Sequence, residues 1–266
     1  MQKESEMIRS KIWKEEAETD NPFAAKACYC HGYDVYGDLL GKISWPEYIY
    51  LLFKGEAATK NQADYLERIS IILANPGLRD HSVRAAMNSG VGGSTSASSL
   101  IAAIATGSGN LNGGREIYIA IRAWEECGQN IDNWKAYFKN LQKNNRVGVW
   151  KDIEHPPGFD LYGVSCATPV KQALESLKEN QASNNISWLH KNRSALESIV
   201  NCPLSITGVI AAAFFDLEMS AEKSEILYMI LRLPGAAAHS LEQKKYGWKH
   251  FPFFKNGITL IEKNDK

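Results

Sequence analysis

The fold class turns on Ser44-Trp45-Pro46-Glu47-Tyr48-Ile49-Tyr50-Leu51-Leu52-Phe53-Lys54-Gly55. Trp45, Ile49, Leu52 and Phe53 fall at helical spacings, Ser44 stands as N-cap, Pro46 occupies the first turn and Gly55 is the stop. Outward from this stretch the same periodicity recurs. It predicts helices over Asn61–Ala74, Ile117–Glu126, Ile131–Leu141, Pro169–Leu177, Trp188–Ile199, Thr207–Leu217 and Ala221–Leu233. Pro76-Gly77, Gly128, Asn144-Asn145, Pro156-Pro157-Gly158, Cys202-Pro203 and Pro234-Gly235 are the expected breaks between them. Strand signals are confined to Tyr33–Tyr36 and Ile258–Ile261. The expected class is all-α.

Between Ala85 and Gly109 the chain is built almost wholly of Ala, Gly, Ser and Thr. Such composition fits a flexible linker. It also fits helices whose small faces let backbones approach closely, and Leu100, Ile101 and Ile104 favour that alternative.

The chain has 266 residues, room for one large domain or a large domain with a smaller companion. Thirty basic side chains balance thirty acidic ones, so no global field exists to hold nucleic acid or an anionic membrane. Any anion site must be local. The five cysteines, Cys28, Cys30, Cys127, Cys166 and Cys202, form no CxxC pair, which argues against a disulfide framework and a zinc cluster. Cys28-Tyr29-Cys30 reads either as a metal chelate or as two core thiols, and the second is the commoner use. The first residues, with Lys3, Glu4, Glu6 and Arg9, lack the apolar segment of a signal peptide. The longest apolar run, Val209–Phe215, falls far short of the roughly 20 residues of a bilayer span. A soluble, cytoplasmic protein is expected.

Three places set polar side chains beside glycine or proline. They are Arg79-Asp80-His81-Ser82, His155-Pro156-Pro157-Gly158-Phe159-Asp160, and Arg232-Leu233-Pro234-Gly235 followed by His239 and Glu242. Each has a plain structural use: a histidine near a cap, a turn that reverses the chain, an arginine complementing a helix dipole. The second could also offer free amides to a phosphate or a base.

The order of these features resembles the citrate synthase superfamily, and within it the citryl-CoA lyase branch that also forms the C-terminal domain of ATP-citrate lyase. The likeness begins with Gly32-Tyr33-Asp34-Val35, Ser44-Trp45-Pro46-Glu47 and Leu51-Leu52-Phe53-Lys54-Gly55-Glu56. It continues through Asp80-His81, Gly113-Gly114, Pro157-Gly158-Phe159, Pro203–Asp216 and Arg232–Gln243, and so covers about Ala25–Phe254. The resemblance implies a helical homodimer with a large domain from residues 1–114 and 208–266. A small domain, 115–207, would close over a cleft, and the small-residue segment would serve the dimer interface. It also implies chemistry that makes or breaks a carbon–carbon bond between an acyl-CoA and an oxo-acid.

Carried over residue by residue, the resemblance places His81 at the substrate-binding histidine and Arg232 at a carboxylate-binding arginine before the His239-Ser240-Leu241-Glu242-Gln243 step. Lys249 lies near the position of a neighbouring subunit's arginine, and Pro157, Gly158 and Phe159 retain the turn that lies along CoA. The departures are equally specific. Asp160-Leu161 replaces the family's Gly-His, Ala167-Thr168-Pro169-Val170 replaces its Asp-Pro-Arg, and Thr207 stands in place of the catalytic aspartate. Asn112 stands where synthases carry a catalytic histidine, which the lyase branch already lacks.

A threonine hydroxyl is no base at neutral pH without a helper, and loss of a proton-transfer base costs on the order of 10²–10⁴-fold. Ordinary citrate synthase or citryl-CoA lyase activity is therefore not expected. The expectation is an acyl-CoA-dependent, Claisen-type lyase or acyltransferase of altered chemistry, with His81, Asp160, His155 and Thr207 as candidate catalytic residues. Arg232, Asn112, Lys249 and His239 are the candidate substrate-binding residues. No permanently bound cofactor or metal is expected, CoA thioester being a substrate. The partners are an acyl-CoA, an oxo-acid-like acceptor and a second copy of the chain, with neither nucleic acid nor membrane. A silent homologue that binds acyl-CoA or pairs with an active subunit is the alternative, and a purely structural helical protein the third reading.

Overall fold

A computed structural model describes residues 9–141 and 155–250. Among them ten α-helices carry the fold, with one small sheet near the start. The chain divides into two compact units, Met1–Ile72 with Ile117–Ser224, and Leu73–Glu116 with Glu225–Lys266.

The first unit begins with an antiparallel sheet of three strands in chain order, β1 (Trp13–Ala17), β2 (Ala25–Cys30) and β3 (Tyr33–Asp34). The expected strand over Tyr33–Tyr36 is cut short because Asp34 caps a π-helical turn at Val35–Leu39, accepting from the amides of Tyr36 and Gly37. Ile258–Ile261 lies outside the described residues. Cys28 and Cys30 sit on β2, two residues apart and so on one face. Cys30 is buried with Leu39 and Leu51, and burial pushes its thiol upward. Among the described residues no three metal-ligating side chains gather.

Helix α1 (Trp45–Lys54) begins in a capping box: Glu47 N donates to Ser44 Oγ, while the Glu47 carboxylate accepts from Ser44 N at 2.6 Å. It ends at Gly55 in the left-handed conformation. The core of this unit comes from α2 (Lys60–Ala74), α5 (Gly114–Cys127), α6 (Ile131–Leu141), α7 (Thr168–Lys178), α8 (Asn184–Val200) and α9 (Ile206–Asp216). Leu66, Ile69, Ile121, Leu177, Ile186 and Phe214 are fully buried in it. Trp124 lies edge-on to both Trp134 and Trp188 and stacks on Phe215. The expected break at Asn144-Asn145 lies outside the described residues.

The second unit resolves the alternative left open by the small-residue segment. It forms two helices, α3 (His81–Val91) and α4 (Ser96–Gly107), rather than a linker. The small residues serve close approach: a Cβ on Gly107 would come within 3.0 Å of Ser82 Cβ, and one on Gly90 within 2.4 Å of the Ser240 carbonyl oxygen. Val83, Ala86, Ala103 and Ala236 form the centre of this packing.

One expected break is absent. Helix α10 runs from Ala221 to Tyr246, straight through Pro234-Gly235. An interior proline costs about 3 kcal/mol, yet contacts on both sides of it hold the helix. Before it, Tyr228 and Arg232 bond to the Asn112 carbonyl. After it, Gly235 lies so near Ala74 that a Cβ would stand 2.5 Å from that residue's carbonyl oxygen. Pro234 itself is exposed, so its ring meets solvent rather than a neighbouring helix. No helix among the described residues is long and apolar enough to cross a membrane.

Candidate functional site

The candidate residues of the first unit converge on one turn. After the buried His155, Pro157, Gly158 and Phe159 pack inward, with Gly158 at φ +86°. This turn pairs with the short extended piece that precedes α9. Phe159 bridges Leu204 in antiparallel fashion, Ser205 N donates to Gly158 O at 3.0 Å, and Asp160 N donates to Pro203 O at 2.8 Å. Gly208 in the first turn of α9 completes the junction. A Cβ there would lie 2.3 Å from Gly158 O, and one on Gly158 would lie 2.8 Å from Gly208 Cα. Both positions therefore exclude any larger side chain. Phe138 meets the Phe159 ring edge-on at 5.6 Å between centroids, which ties the turn to α6.

Thr207 is fully buried beside this junction, its hydroxyl 2.6 Å from Ser205 Oγ. Asp160 faces the other way: its residue is exposed and its Oδ1 accepts from Tyr162 N at 3.0 Å, closing the following turn. Leu161 is 41% exposed.

In the second unit the polar side chains form a buried cluster around Arg232. Asp80 is the N-cap of α3; its Oδ1 accepts from Ser82 N at 2.9 Å and from the Ser82 hydroxyl, and its Oδ2 pairs with Arg232 Nη2. Arg232 Nη1 donates to the Asn112 carbonyl at 3.0 Å, and its guanidinium lies over the Tyr228 ring at 4.6 Å. The Tyr228 hydroxyl donates to the same carbonyl at 3.0 Å, and burial pushes that phenol upward. Asn112 adopts φ +53°, and its amide donates to the buried Glu116 at 2.6 Å. Its contribution is thus made by the backbone, while its residue is exposed. Only 4% of the Arg232 side chain is exposed, and its Nε has no hydrogen-bond partner. Beside Arg232, Ser82, Ala103, Gly107 and Met229 line a small, partly open cavity of about 10 Å³, room for about one water molecule.

His81 is the first residue of α3 and is exposed. His239 Nε2 lies 3.1 Å from Asn75 Oδ1, and its Nδ1 lies 3.6 Å from Glu242. Lys249 is exposed on the short 3₁₀ turn Trp248–His250, with its ammonium 5.8 Å from the Trp248 ring centre.

Several residues of these clusters escape a reading of the sequence. Gly208 is legible only as the neighbour of Thr207. Glu116 and Tyr228 look like ordinary helix residues. Asp80 does carry a signal, since an aspartate just before an apolar helix is a cap, but its pairing with Arg232 spans 152 positions.

No family model matches the chain, and no curated protein matches it. Solved structures do. A citryl-CoA lyase from Hydrogenobacter thermophilus aligns over 98% of this chain and 96% of its own, at 18% identity and a TM-score of 0.73. The ATP citrate lyase from Methanothrix soehngenii, in complex with citrate and coenzyme A, aligns over 96% of this chain but 42% of its own, at 18% identity and a TM-score of 0.73. Citrate synthase from Thermotoga maritima aligns over 96% of this chain and 95% of its own, at 14% identity and a TM-score of 0.52. The chain therefore has the helical citrate synthase-like fold, in the form found in citryl-CoA lyase. At these identities the likeness is one of fold.

Proposed function

We propose that this protein binds a CoA thioester and makes or breaks a carbon–carbon bond on it with a substrate other than citrate. The observation that carries the reading is the turn at residues 157–159, sutured to the first turn of α9 by paired backbone bonds and a Gly158–Gly208 contact that excludes a Cβ. Such a junction holds its backbone in a fixed position, and the resemblance to the citryl-CoA lyase branch implies that this turn would lie along CoA.

The altered chemistry follows from what lies beside it. Thr207, buried against Ser205, offers a hydroxyl and no carboxylate. A thioester that loses CO₂ forms its enolate without surrendering a proton from carbon, so a site of this kind suits a decarboxylating donor. In this reading the first turn of α9 would stand beside the developing enolate oxygen. His155, buried at the start of the turn, is the proposed proton donor or acceptor. A homodimer is the proposed assembly.

A second reading, a silent homologue that binds acyl-CoA, draws on Arg232. Both ends of that guanidinium are already engaged by Asp80 and Asn112, as in a site that no longer receives a carboxylate.

The test is thermal shift with CoA and acetyl-CoA, followed by mass spectrometry of mixtures of acyl-CoAs, malonyl-CoA included, with oxo-acids. A rise in Tm with a new acid, or with free CoA released only by protein with intact His155, supports the enzyme. A rise in Tm without turnover across the panel supports the silent homologue. No shift with any CoA species overturns both.

A further inference from the structure

The turn at residues 157–159 is held by the extended piece at residues 203–205, and that piece needs an anchor of its own. In the antiparallel bridge, Ser205 N donates to Gly158 O and Asp160 N to Pro203 O. Phe159 and Leu204 are thus the non-hydrogen-bonded pair, and the amide of Leu204 points away from the turn. Leu204 is 3% exposed, so that amide cannot turn to water and must find an acceptor within the protein.

The acceptor is Glu197. Its Oε1 takes the Leu204 N–H at 3.0 Å. Glu197 lies on α8, and one turn earlier Arg193 grips both of its oxygens through Nη1, at 2.9 and 2.7 Å. The pair is mostly withdrawn from solvent, with 26% of the Arg193 side chain and 18% of Glu197 exposed. The arginine fixes the rotamer of the carboxylate, and the carboxylate fixes the height of Leu204 above α8. The left-handed Asn201, which ends α8, and Pro203, the first residue of this piece, restrict its backbone further.

We infer that Glu197 is a positioning residue for CoA-thioester binding: through Leu204 it sets where the 157–159 turn stands. This rests on the reading that the turn meets the thioester. Glu197 acts at one remove, and its effect depends on the reach of its acceptor oxygen more than on its charge.

Three variants separate that role from a general effect on stability. Glu197→Gln keeps an acceptor at the same reach. Glu197→Asp keeps the charge but withdraws the acceptor by one methylene. Glu197→Ala removes it. The Kd for CoA is measured by calorimetry well below the Tm of each protein, with tryptophan fluorescence confirming that Trp188 and its neighbours remain packed. We expect Glu197→Gln to bind within about threefold of the parent, and Glu197→Asp and Glu197→Ala to bind roughly tenfold or more weakly, as for a lost charge-assisted hydrogen bond that orients a site. If Glu197→Ala fails to fold, the contrast between Asp and Gln decides. Equal affinity of those two variants overturns the inference while the binding function stands. A parent protein that binds no CoA overturns the inference together with the function it rests on.

Discussion

The carboxylate of Asp80 serves two partners at once: Oδ1 closes the N-terminus of α3, and Oδ2 pairs with the buried guanidinium of Arg232 on α10. A charge with 4% of its side chain exposed is stable there because an opposite charge, a carbonyl and an aromatic face surround it. This arrangement makes Arg232 an architectural cation in the state described. A substrate carboxylate would have to compete with Asp80 Oδ2 for Arg232 Nη2.

Removing one partner of such a pair leaves the other charge stranded. Arg232→Met should lower stability by about 3–5 kcal/mol. The double variant Asp80→Asn with Arg232→Met should lose clearly less than the sum of the single losses, because the partners are in contact. Urea unfolding of the four proteins gives the coupling; strict additivity would show that the pair contributes nothing.

Gly208 offers a steric test of the turn. Gly208→Ala would press a methyl group against Gly158 O and the Leu204 side chain. Overpacking of this kind costs about 1–3 kcal/mol, and the turn should shift enough to abolish a CoA-induced rise in Tm. Ser44→Ala provides the matched control. Loss of that cap should cost about 0.5–2 kcal/mol and leave the CoA response intact, as thermal shift with and without CoA would reveal.

Asp216 gives the chain a titration of unusual sign. Its Oδ1 accepts from Asn185 N at 2.5 Å, and its Oδ2 accepts from Ile186 N at 3.1 Å and from the Tyr65 hydroxyl at 2.9 Å, so it caps α8 from the end of α9. Burial nevertheless lifts its carboxyl above the ordinary aspartate value of 3.8. The folded state therefore holds this proton to higher pH than the unfolded chain, and its contribution falls as pH rises through the folded pKa. Relative to Asp216→Asn, which does not titrate, the parent protein should be most stable at the acid end and lose ground upward from about pH 4. Parallel melts in steps of half a pH unit would show it; a constant difference in Tm would place the carboxyl at its unfolded value.

Pro234 is exposed in the middle of α10. Pro234→Ala restores an amide donor and relieves the ring's conflict with the preceding turn. It should stabilise the protein, by up to about 3 kcal/mol less whatever the helix already accommodates. Chemical denaturation measures the gain, and a loss would mean that the proline shapes the helix to its neighbours.

Helices and their ends were legible along the chain because their causes are local. Ser44 and Glu47 cap α1 from three positions apart, Gly55 ends it, and the apolar spacing over Ile131–Leu141 matches α6 residue for residue. The strands β1 and β2 were not legible. Every residue of Trp13–Ala17 is exposed, so no alternation of apolar and polar residues marks it.

By itself, the sequence determined an α-helical chain, the composition of its close-packed helix pair and the order of features that points to the citrate synthase-like fold. Tertiary structure alone decided that α10 passes through Pro234, that Arg232 answers to Asp80, and that Glu197 supports the turn through Leu204. The reason is one of range. Caps and periodicity are settled among neighbours within a turn or two of helix. The partner of a buried charge or a buried amide is whichever group the folded chain brings to it, 152 positions away in the case of Arg232.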